Sequence, residues 1–102
     1  VPDYLKRASV AIASIGATLE LRQLSAKAHA ETVRAYDTDK TGFLAGAVAV
    51  KYGVPEWAEK TPDEILDMLT SEQIGEITEA IAALSGVDAK KSATPSAGSS
   101  SN

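Results

Sequence analysis

The spacing of apolar residues changes from one stretch of this chain to the next, and each change marks an element. From Ser9, Val10 and Ile12 alternate with small residues, Gly16 punctuates, and Thr18-Leu19-Glu20-Leu21-Arg22 alternates at period two. Two short alternating runs about a Gly-containing turn predict a β-hairpin near residues 9–23. The competing reading is one helix through the whole stretch, because alanine and leucine favour it; the alternation favours the hairpin. Ser25 is placed to cap the next element, AKAHAETVRAY, where Ala26, Ala30, Val33 and Tyr36 form a modest stripe at helical spacing. Phe43 to Gly53, FLAGAVAVKYG, is apolar nearly all round, which predicts a central buried helix closed by Gly53. Gly46 inside it costs about 1 kcal/mol relative to alanine, so its presence implies close packing against another element. Val54-Pro55-Glu56-Trp57 predicts a short helical turn with Pro55 at its first position, and Trp57 is expected to plug a joint between helices.

Residues 61–84 carry two helix starts in series. Thr61 is a cap, Pro62 fills the first helical position and Glu64 lies three residues after the cap, a capping box. Thr70 and Gln73 repeat the box in weaker form. Ile74, Ile77, Ile81 and Leu84 then recur at spacings of three, four and three, on one face of a longer helix. Glu72, Glu76 and Glu79 fall mostly on the other side, and Gly86 is expected to end the run. The fold expected is mainly α: a small helical domain of about four to five helices over residues 1–87, with a short N-terminal hairpin. Residues 88–102 are small and polar, and cannot bury enough surface to offset their ordering entropy, so a disordered tail is expected there.

Composition sharpens this picture. Much of the 44% hydrophobic content is alanine, and large core residues are few, with one Trp, one Phe and three Tyr. A core this thin favours self-association or partner binding. A net charge of −4 with no basic run disfavours phosphate-backbone binding. The absence of cysteine excludes disulfides and thiolate metal sites and fits a reducing compartment. No apolar run approaches the roughly 20 residues of a membrane span, and Ser9 to Ile15 lacks the flanks and length of a signal peptide.

No stretch assembles catalytic chemistry. Asp37 to Val48, DTDKTGFLAGAV, opens like a calcium-binding EF-hand loop, with Asp at positions one and three, Thr at five and Gly at six. The bidentate Glu required at position twelve is replaced by Val48, and position nine is Ala45, so an interhelix turn is the better reading. His29 is the only histidine and has no partner at ligand spacing. The carboxylates Asp63, Glu64, Asp67, Glu72, Glu76 and Glu79 fit helix capping and a solvated face better than acid–base work. The helix pair over 61–84 resembles a helix-turn-helix in outline, but its second helix would present glutamates to DNA phosphates. No metal, cofactor or catalytic residue is expected, and no enzyme. The stripe Ile74, Ile77, Ile81 and Leu84 reads either as intramolecular core or as a surface for a partner helix, and the pattern does not divide the two.

The order of elements carries a resemblance. A Gly-bounded strand ends in Leu19-Glu20-Leu21-Arg22-Gln23-Leu24-Ser25; an alanine-rich helix follows, then an apolar helix ending in Lys51-Tyr52-Gly53-Val54-Pro55, the capped TPDEILDML segment, and a closing helix of the form I-x-x-I-x-x-A-I-x-x-L-x-G. Over residues 17–88 this resembles the tail assembly chaperones of long-tailed bacteriophages, in pattern and order rather than in one diagnostic motif. The resemblance implies a non-enzymatic morphogenesis factor in the host cytoplasm that is absent from the mature virion. It implies binding to the tape measure protein, which the chaperone keeps soluble, and recruitment of tail tube protein. It also implies a longer frameshifted form, with which Lys90-Lys91 is compatible. Homo-oligomers fit the thin core, and neither nucleic acid nor membrane is expected as a partner. The client contacts to expect are Ile74, Ile77, Ile81, Leu84 and Trp57. The alternative functions are a small acidic helical adaptor or transcription-related module of a phage or bacterium, and a degenerate calcium-binding domain.

Overall fold

The computed structural model describes residues 4–84; the tail expected over 88–102 and the helix stop at Gly86 lie outside them. Strand β1 (Arg7–Ile12) pairs antiparallel with β2 (Ala17–Arg22), with Ile12 opposite Ala17 and Arg7 opposite Arg22. The hairpin reading therefore holds over the helical one. Residues 13–16 form the loop, where the Ile15 and Gly16 amides both donate to the Ile12 carbonyl (3.1 and 2.9 Å). Gly16 adopts φ 77°, a left-handed conformation that a Cβ disfavours and that lets the loop close. Helices α1 (Ala26–Thr38), α2 (Phe43–Gly53), α3 (Pro62–Met68) and α4 (Ser71–Leu84) follow, with a 3₁₀ turn at Pro55–Trp57. The result is four helices and a two-stranded hairpin, mainly α.

The local signals explain the boundaries. Ser25 accepts from the Ala28 amide (3.1 Å) and starts α1. Thr61 and Glu64 exchange both bonds of the capping box (2.8 and 3.2 Å), and Thr70 and Gln73 do the same (2.8 and 3.1 Å). The link resembling a calcium loop is an Asx turn: Asp39 Oδ1 accepts from the Thr41 amide (3.1 Å) and hydroxyl (2.7 Å). The Thr41 hydroxyl, then its amide, hold the Asp39 carboxyl below the usual aspartate range. Asp37 pairs with Lys40 at 3.2 Å, and Gly42 opens α2 at φ 86°.

Both strands, α2, α3 and α4 supply the main core cluster, with Val54 after α2. Ile12 of β1, Leu19 and Leu21 of β2, Ala47 and Val50 of α2, Val54, Ile65 of α3, and Ile74, Ile77 and Ile81 of α4 form one buried aliphatic cluster. No polar or charged residue is buried among the described residues. Trp57 and Leu84 are half-buried and pack against the cluster; the 3₁₀ turn that ends in Trp57 contacts α2 and β2, so it adjoins a strand and not only the helices expected. Glycines let α4 approach α2. A Cβ on Gly46 would lie 2.7 Å from Ile74 Cγ2, which is the close packing its presence implied. A Cβ on Gly53 would lie 2.8 Å from Ile81 Cγ1. Gly53 ends α2 as expected, without a positive φ, and is also a contact residue whose missing side chain makes room for Ile81.

The segment Leu19 to Ser25 is used residue by residue. Leu19 and Leu21 enter the core. Arg22 Nε donates to the Tyr52 carbonyl at the end of α2 (2.8 Å), where a cation complements the helix dipole. Gln23 ties the open end of the hairpin to α4: its Oε1 accepts from the Lys6 amide (2.8 Å) and its Nε2 donates to the Leu84 carbonyl (3.2 Å).

Candidate partner-binding surface

The stripe on α4 is spent on the core. Ile74, Ile77 and Ile81 are 6%, 0% and 2% exposed, so a partner reaches Ile74 and Ile77 only if the domain opens, and Ile81 only by the small edge it shows at the surface. The reason is geometric: Gly46 and Gly53 strip α2 of side chains where Ile74 and Ile81 pack. Leu84 and Trp57 keep part of their surface but belong to the same packed unit. The five expected client contacts are therefore not brought together as an exposed face.

The acidic side of α4 also differs from its expected role. Glu72 and Glu79 are exposed, but Glu76 turns to the hairpin loop. Its Oε2 accepts from the Ala13 amide (2.8 Å), and its Oε1 from the Ser14 amide (3.0 Å) and hydroxyl (2.5 Å). Gln73 Nε2 donates to the Ser14 carbonyl (3.3 Å). The Ser14 hydroxyl, then the Ser14 and Ala13 amides, hold the Glu76 carboxyl below the usual glutamate range. This carboxylate fixes the loop on α4, and the residues it joins are more than 60 positions apart in the chain.

An exposed stripe lies on α1 instead, with Lys40 Nζ 4.9 Å from the centre of the Tyr36 ring at its far end. Its buried face is Ala28 and Ala35, small residues that allow a close approach to α2. Tyr52 Oη donates to Glu31 Oε1 (2.8 Å) and fixes the two helices together; the bond to Glu31, then burial, raise the Tyr52 phenol above its ordinary range. The larger residues of the stripe sit on the far side, where Val33 is 50% and Tyr36 48% exposed. Ala26, His29, Val33 and Tyr36 follow at spacings of three, four and three along this outer face.

That face runs into a cleft of about 410 Å³ between the start of α1 and α4. Leu24, Ser25, Ala26 and His29 at the start of α1, Ala49 of α2, and Thr78, Ile81 and Ala82 of α4 line it. Its volume and largely apolar lining suit an aliphatic or aromatic side chain. Ala26 and His29 belong to both cleft and stripe, so the two form one surface about 15 Å long from Ala26 to Tyr36 at 1.5 Å per residue. Leu24, Ala49 and Ala82 had no signal in the sequence that would single them out, since each sits among similar alanines or leucines. His29 did stand out as the only histidine, and it lies on the exposed cleft wall.

Among the described residues no three His, Cys, Asp or Glu side chains converge as metal ligands. No described helix is long and apolar enough to cross a membrane. Comparison with protein families, with curated proteins and with solved structures finds no match to this chain.

Proposed function

We propose that this protein is a non-enzymatic assembly chaperone of a long-tailed bacteriophage, which holds the helical tape measure protein soluble and helps recruit tail tube subunits in the host cytoplasm. The observation that carries the reading is the exposed surface of α1, from the cleft at Ala26 and His29 to Val33 and the Tyr36 ring beside Lys40. A helix laid along it would place aliphatic side chains at i, i+3, i+4 and i+7 into the cleft and over the stripe. The order of elements over residues 17–88, which resembles the tail assembly chaperones, supplies the identity of the client. The acidic, cysteine-free composition suits a factor that keeps an apolar helical client from aggregating without binding nucleic acid.

The test is co-expression with the tape measure protein from the same genome. The client is expected to shift from the insoluble to the soluble fraction and to co-purify with this chain. A client that stays insoluble beside a soluble, folded chaperone would refute the assignment.

A further inference from the structure

The hairpin has two long edges, and one of them is suited to a second copy of the same chain. The Gln23 amide donates to the Lys6 carbonyl (2.8 Å), and these residues are opposite each other in the register that joins Ile12 to Ala17. Bonded pairs alternate along an antiparallel ladder. Ala8, Val10 and Ile12 therefore bond to β2, while the amides and carbonyls of Ser9 and Ala11 point away from it. Among the described residues, no group bonds to Ser9 or Ala11 on that side. Between Ala8 and Ile12 the strand has no proline, no bulge and no charge, the usual guards of an open edge.

Among the described residues the outer edge of β2 is equally unbonded, but its centre is Glu20. Two copies joined through it would set Glu20 against Glu20, a like-charge pair directly opposite. The β1 edge has Ser9 at its centre, neutral and exposed. Antiparallel pairing about Ser9 sets Ser9 against Ser9 and the half-buried Val10 of each copy against the half-buried Ala8 of the other. A large residue then faces a small one across the two-fold axis. The inner face would read Leu19–Val10–Ala8–Leu21 across the four strands, a continuous apolar row. A two-stranded ribbon is marginal alone, and a four-stranded sheet is not.

We propose that β1 pairs with β1 of a second copy, antiparallel about Ser9, to form a two-fold dimer with a four-stranded sheet. The inference is independent of the client, since it uses the hairpin and leaves the α1 surface open. Sedimentation equilibrium of the full chain from ~10 μM to ~1 mM tests it, the range suited to a small strand-mediated interface. The mass of the wild type should rise toward twice the 10.6 kDa of the chain. Ser9→Lys and Ser9→Glu should each weaken association about tenfold or more, because like charges meet across the axis. An equimolar mixture of the two should dimerise again. Circular dichroism melts establish that each variant is folded. Should either fail to fold, Ser9→Pro replaces the pair: it deletes the outward amide, leaves the bonds to β2 intact, and should abolish the dimer. A wild type that stays monomeric throughout, variants that associate like the wild type, or a mixture no better than either variant alone would each overturn the proposal.

Discussion

Gly53→Ala tests the packing of α2 on α4 most sharply. The added Cβ would stand 2.8 Å from Ile81 Cγ1, against an ordinary carbon–carbon contact of about 3.5–4.0 Å. Ile81 must retreat by at least ~0.7 Å, and it is 2% exposed within the core cluster, so it has nowhere empty to go. Overpacking of this kind costs about 1–3 kcal/mol. The better helix propensity of alanine returns up to about 1 kcal/mol. The net expectation is a loss of about 1–2 kcal/mol, or roughly 5–15 °C in Tm for a domain of this size. Ile81→Val removes Cδ1, the Ile81 atom nearest the new Cβ, keeps Cγ1, and by itself costs about 0.5–1.5 kcal/mol. The double variant should be more stable than the sum of the two losses by up to about 1 kcal/mol, because the clash with Cδ1 is removed and only that with Cγ1 remains. Gly75→Ala is the control: nothing lies within 4 Å of its Cβ position, and it should stabilise by about 0.5–1 kcal/mol. Urea and thermal unfolding followed by far-UV circular dichroism give all four values. A Gly53→Ala variant as stable as the wild type, or two losses that simply add, would refute the argument.

Further predictions concern the other face of α4. Ile77→Ala empties a fully buried site and should cost about 2–5 kcal/mol, read as a collapse of the thermal melt; a change within a few tenths would return Ile77 to the list of surface contacts. Glu76→Gln removes a carboxylate whose pKa in the folded state is depressed, chiefly by the Ser14 hydroxyl. A depressed pKa stabilises above the unfolded value, so the wild-type advantage should be complete above about pH 4.5 and vanish as pH falls through the folded pKa. Denaturation at a series of pH values reads this, and an advantage that stays constant from neutral to acid pH would contradict it.

Much of the fold was legible because its signals are local. The period-two alternation of residues 18–22, the Ser25, Thr61 and Thr70 caps, and the isoleucine spacing of α4 each act within one or two turns of chain. The use of each face was less legible. A stripe at helical spacing states that a helix has an apolar side, but not what covers it. On α4 the cover is α2, and the clue was the pair Gly46 and Gly53, of which Gly53 also reads as a helix stop. On α1 the stripe of larger residues marked an apolar side, whereas the structure buries Ala28 and Ala35. Two helices that approach closely select small side chains at their contact, so side-chain size misleads there. Glu76 was illegible for a different reason: its partners Ala13 and Ser14 are far away in the chain, and nothing near Glu76 announces them.

The central claim is that the exposed face of α1, and not the stripe of α4, holds the client. Its most direct test is co-expression of the tape measure protein with the Val33→Glu, Tyr36→Glu double variant beside the wild type. Both side chains are about half exposed, so the variant should keep the wild-type fold and melt. The account predicts that it leaves the client insoluble while the wild type brings it into solution. A folded double variant that keeps the client as soluble as the wild type does would contradict it.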